Sequence, residues 1–230
     1  METTGNQGIL KVYGLNEWWD KTFTEREKLE LSRSYTRLYD TSYLGIDELD
    51  ENILTESQVE VFSLSDDLRK VNFNKKSYFI QQTSVLSFLS EMVGCAYRSN
   101  GIPTIEKISK KAEYFIENTN QPILDCHFFY GSLIGIYFQN RKAKPKYFEK
   151  VIHYCKKQIA ISPKAAKEFA RNDPNGQIPT HVGYIRLAII LEKEEQYELA
   201  IDYCKIAQNQ GWNGDWSQRI NRCSLKLMKK

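Results

Sequence analysis

The sequence predicts an all-α chain of stacked antiparallel helical hairpins closed by a C-terminal capping helix, and three observations predict it. First, Tyr184, Leu187, Ala188 and Leu191 recur at offsets of three and four and are followed, after a short polar turn, by Ala200, Cys204 and Ala207. Such offsets put each set on one helical stripe, and the alanines let two helices approach closely. Second, Tyr130, Leu133, Ile134 and Tyr137, then Val151 and Cys155, repeat the same spacing upstream. Third, Trp216, Ile220, Cys223 and Leu227 form a single apolar stripe on a last helix whose other positions are Gln218, Arg219, Arg222, Lys226 and Lys229. One apolar face with a charged outside is what the open end of a helical stack requires.

Along the chain, residues 9–15 read as a short strand or an extended arm that leads to Trp18 and Trp19. Thr24 and Glu27 have capping-box spacing and open a helix to about Tyr39, with Leu31, Tyr35 and Leu38 on one side. An acidic, turn-rich stretch, residues 40–56, precedes a short helix expected over residues 56–71. Residues 83–98, with Val85, Phe88, Leu89, Met92, Val93 and Ala96, and residues 105–117, with Ile105, Ile108, Ala112, Phe115 and Ile116, read as a hairpin. The breaker cluster Ser99, Asn100, Gly101, Ile102 and Pro103 separates its helices.

The next hairpin carries the upstream copy of the spacing. Its turn, residues 140–146, is about five residues longer than the spacing asks, Ile134 and Val151 replace the small residues, and Pro163 closes it. In the last hairpin one helix runs from about His181 to Lys193, Glu194, Glu195 and Gln196 turn the chain, and a second helix runs from Tyr197 to Asn209 with Gly211 as its stop. Asp215 is placed to N-cap the final helix. These elements divide the chain into an acidic helical or irregular region, residues 1–80, and a helical repeat domain, residues 81–230.

A chain of 230 residues is long enough for a sizeable core. It has no apolar run of membrane-spanning length, and no charged-then-apolar leader precedes a cleavage site. The cysteines, Cys95, Cys126, Cys155, Cys204 and Cys223, are widely spaced and odd in number, and they read as buried thiols of a cytoplasmic protein. Charge is unevenly spread. Residues 140–171 hold ten basic residues against two acidic, whereas residues 1–75 hold nine basic against fifteen acidic. Lys142, Lys144, Lys146 and Lys150 make the basic block a candidate surface for an acidic protein or for nucleic acid. Tyr147, Phe148 and Tyr154 within it sit at offsets that suit packing better than base stacking.

No residue pattern calls for catalysis. His127, His153 and His181 lack a second ligand at metal-site spacing, and there is no Cys-x-x-Cys, phosphate-binding glycine loop or nucleophile elbow. No metal or cofactor is expected, and an enzyme is the least favoured reading.

The segment from Gly183 through Cys204, with the one from His127 to Ile134 and Tyr154 to Ile159, resembles tetratricopeptide (TPR) repeats, and residues 123–230 look like those of bacterial TPR-containing proteins. The resemblance implies a TPR-like α-solenoid that binds a protein or peptide partner in a groove lined by the first helix of each pair. By position the groove receives Phe128, Gly131, Gly135 and Phe138 from one helix and Val182, Ile185, Ile189 and Glu192 from the next, with Arg186 as its one cation. Some relatives hold a partner's terminal carboxylate through Lys and Asn at such places. Here glycine and aliphatic residues stand there, so the expected groove is apolar. The arm with Trp18 and Trp19 is a candidate occupant of it.

Overall fold

A computed structural model describes residue 10 and residues 13–38, 84–99 and 101–229. The acidic stretch 40–56 and the short helix expected over 56–71 lie outside the described residues. The described chain is all-α: α1 (Asn16–Thr22), α2 (Glu25–Leu38), α3 (Val85–Ser99), α4 (Ile102–Asn118), α5 (Ile123–Asn140), α6 (Pro145–Asn172), α7 (Val182–Lys193), α8 (Tyr197–Asn209) and α9 (Trp216–Leu227). Only an isolated bridge, Thr180 with Asn213, departs from helix and loop among these residues. The chain divides into two compact units, Met1–Asn120 and Gln121–Lys230. Helices α3 and α4 thus belong with α1 and α2.

In the first unit α3 packs against both α2 and α4. The capping box forms as the spacing requires: Thr24 N–H donates to Glu27 Oε2 at 2.9 Å, and Glu27 N–H donates to Thr24 Oγ1 at 3.3 Å. Glu27 also receives Lys107 Nζ from α4 on both oxygens at 2.8 Å, so one acid caps α2 and ties it to α4. Leu31, Leu86, Leu89, Met92, Ile105 and Ile108 are wholly buried. Pro103 does not break the second helix but sits in its first turn, where no N–H is needed, after Gly101 at φ 75°. The segment with the paired tryptophans is the helix α1 rather than an arm. Trp19 is 2% exposed with its ring 4.9 Å from that of Phe23, which commits it to its own unit.

In the second unit α5 packs along α6, α7 packs against both, α8 packs on α7 and α9 on α8. Ala188 and Ala200 are fully buried, as their place between two close helices demands. Gly211 adopts φ 81°, with Trp212 N–H donating to Ala207 O and Gly211 N–H to Gln208 O, the Schellman closure of α8. The same closure ends α7 on Glu195, a non-glycine residue at φ 59°.

Three sequence expectations do not hold. Helix α6 does not stop at Pro163 but runs through it to Asn172. Beyond the proline Ala165, Ala166 and Phe169 continue the apolar stripe onto a cluster with Tyr184 and Trp212, and that burial outweighs one lost hydrogen bond. In α9, Asp215 occupies the N-cap position without a side-chain cap, and Arg219 is not on a solvated face but 8% exposed. Arg219, Arg222 and Lys226 all converge on Glu192 of α7, at 2.7–3.0 Å. The bonds from Arg222, chiefly, and from Lys226 hold the Glu192 carboxyl down at about 2.

Candidate functional site

The residues expected to line a groove all lie in the second unit, on α5 and α7, which pack against each other. Phe128 is exposed at 55%, and Gly131, Gly135, Phe138, Val182, Ile185, Arg186 and Ile189 are half-buried. They therefore form an accessible, mostly apolar strip. Glu192, at the far end of α7, is not part of it, because its carboxylate is consumed by α9.

The two glycines of α5 have different reasons. A Cβ on Gly131 would stand 3.0 Å from Gln158 Nε2, whereas one on Gly135 would meet nothing within 4 Å. Gly131 is thus a packing residue, and Gly135 opens onto free space. What Gly131 makes room for is a fully buried amide. Gln158 donates through Nε2 to His127 O at 2.8 Å and accepts the Gly183 N–H at 2.7 Å, joining α5, α6 and the first turn of α7. Gly183 is required by the same contact, since its Cβ would lie 2.8 Å from Gln158 Oε1 and 3.1 Å from Cys155 O. The next N–H of α7, from Tyr184, is accepted by His181 Nδ1 at 3.2 Å. The helix start is closed by protein groups from inside.

Beside this junction the structure brings together His127 and His181, with ring centroids 5.0 Å apart. Trp212 stacks on His127 at 5.2 Å and 4° and meets His181 edge-on at 4.6 Å. Both histidines are buried, and among the described residues His127 Nδ1 and His181 Nε2 meet no hydrogen-bond partner. Burial pushes His127 down to about 4, and burial with the neighbouring His127 pushes His181 down to about 3, so both imidazoles are neutral at pH 7. No three His, Cys, Asp or Glu side chains converge as a metal site among the described residues. All five cysteines are buried and unbridged, and desolvation raises every one of their thiols, the reverse of what a nucleophile needs.

At the other end of the strip lies a second association that the sequence did not suggest. The guanidinium of Arg141, which follows α5, sits 3.9 Å from the Phe138 ring centroid, and that of Arg186 on α7 sits 4.2 Å from it. Of the basic block, Lys142, Lys144 and Lys146 are exposed and Lys150 is half-buried. The tyrosines among them are packed inward: Tyr147 and Tyr154 are 6% and 1% exposed and lie against Tyr137.

No described helix is long and apolar enough to cross a membrane. No family model, curated protein or solved structure matches the chain.

Proposed function

We propose that the protein is a non-catalytic interaction module, a TPR-like stack that holds a segment of a protein partner along the α5–α7 strip. The observation that carries this reading is Gly135. A glycine in a helix interior is unfavourable by about 1 kcal/mol relative to alanine, and packing against a neighbour is the usual compensation. Here no neighbour lies within 4 Å of the absent side chain, while Phe138, Ile185 and Ile189 remain half-exposed on the same two helices. An accessible apolar strip with room for close approach suits a docked peptide or helix. The raised thiols and the neutral, enclosed imidazoles weigh against an enzyme reading. The inward packing of Tyr147 and Tyr154 weighs against base stacking on the basic block. The unbridged, buried cysteines fit the reducing cytoplasm.

The test is partner capture by wild type and by Gly135→Leu, with circular dichroism as the check on folding. The reading expects a folded variant that loses the partner, while a Lys142→Glu, Lys144→Glu, Lys146→Glu triple variant keeps it. A folded Gly135→Leu variant with undiminished capture contradicts it.

A further inference from the structure

We infer that the α5–α7 strip takes an amphipathic helix with an acidic end, its carboxylates meeting Arg141 and Arg186 beside Phe138 and its apolar side chains running toward Phe128. This deepens the preceding reading and rests on it. The charge of the strip is confined to one end. There, two guanidinium groups lie on one aromatic ring, at 3.9 and 4.2 Å from its centroid. Stacking on a ring covers the flat face of a guanidinium and leaves its N–H edge to donate. Arg141 spends one N–H on the Phe138 carbonyl, and Arg186 has no carboxylate partner among the described residues. Two like charges against one ring repel, and a carboxylate beside them offsets that repulsion. No acidic residue occurs from Arg141 through Phe148, and Lys142, Lys144 and Lys146 extend the positive end outward. Two guanidinium groups on one half-buried ring offer carboxylates a more localised site than lysines spread over a surface.

The strip residues at the other end, Phe128 and Val182, carry no charge. Phe128 projects there with its ring 5.8 Å from Phe169 and 5.5 Å from the neutral His127. Ten residues of α5 separate Phe128 from Phe138, about 15 Å along a helix axis. A partner helix of three to four turns therefore spans the strip, with Ile185 and Ile189 beneath its apolar face. An extended peptide is the poorer occupant, because it needs backbone partners and the strip offers helix side chains.

The test is selection of displayed 14-residue helical peptides, randomised on one face, against the full-length protein and its variants. The expected binders carry Asp or Glu at one end and apolar residues at i, i+3 or i+4, and i+7. Arg141→Glu with Arg186→Glu should weaken them at least tenfold, and the same selection on that variant should exchange Asp and Glu for Lys and Arg. Binders that need Gly135 but show no acidic end overturn this inference and leave the docking strip standing. Binders indifferent to Gly135→Leu, or no binders at all, overturn both. A fluorescent oligothymidine bound by wild type and released by the double arginine variant assigns the pair to nucleic acid instead and overturns the inference.

Discussion

Lowering the pH from 7 to 5 should destabilise the second unit through His127 and His181. Both are titrated in the unfolded chain near 6.5 but only near 4 and 3 when folded, so between these values the unfolded state binds more protons. Stability is therefore complete above the unfolded value and is lost as the pH falls through 6.5 toward the folded values. At pH 5 each histidine withholds most of one proton on folding, which amounts to about 2 kcal/mol per residue, or about 4 kcal/mol for the pair. The structure supplies the cause. Protonation adds a proton to His181 Nδ1, which can then no longer accept the Tyr184 N–H, and it puts like charges on two enclosed rings whose centroids lie 5.0 Å apart. The window is clean, because Glu192, held at about 2, makes its own loss below 4.5. Urea unfolding followed by the NMR signal of the Trp212 indole, which stacks on His127, reports the right unit. His127→Phe should reduce the pH dependence to about 2 kcal/mol, since one of two titrating groups is gone. A wild-type midpoint that moves by less than 1 kcal/mol equivalent between pH 7 and pH 5 would refute the enclosed, neutral pair.

Four further outcomes follow from packing and backbone geometry. Gly135→Ala should raise the urea midpoint by up to about 1 kcal/mol equivalent, since nothing opposes the new methyl. Gly131→Ala should lower it by about 1 kcal/mol, since Gln158 must shift from a buried bond. Ala200→Leu and Ala188→Leu should each overpack the contact of α7 with α8 and lower stability by about 1–3 kcal/mol in thermal melts; an unchanged midpoint in both would contradict the close approach. Glu195→Gly should stabilise by about 1 kcal/mol in calorimetry, because glycine occupies the left-handed closure of α7 without a Cβ penalty.

Helix period was the legible part of the fold. An uninterrupted apolar stripe and a polar turn leave little choice, so the pattern places α8 at Tyr197–Asn209 and the start of α7 within one residue of where it lies. Pro103 and Pro163 misled for opposite reasons. The first is tolerated where a helix start has no use for its N–H, and the second is overridden by burial of Ala165 and Ala166 beyond it. Such burial is tertiary and leaves no local mark. The strip residues were legible as positions, but their environment was not. Gln158 interrupts the stripe of Val151 and Cys155, three residues after the cysteine, and that single amide was the available signal for the junction with α7. His127 and His181 stand 54 residues apart and Arg141 and Arg186 stand 45 apart, so only the folded chain pairs them. Glu192 looked like a groove residue because its partners, Arg219, Arg222 and Lys226, come from a helix whose own pattern shows only a charged outside.

Amide chemical-shift mapping of the full-length protein with a bound partner segment tests the proposed docking on the α5–α7 strip most directly. Perturbations should concentrate at Phe128, Gly135, Phe138, Ile185, Arg186 and Ile189. Perturbations confined instead to the lysines of α6, or to the exposed Leu199 and Ile206 of α8, would contradict the account.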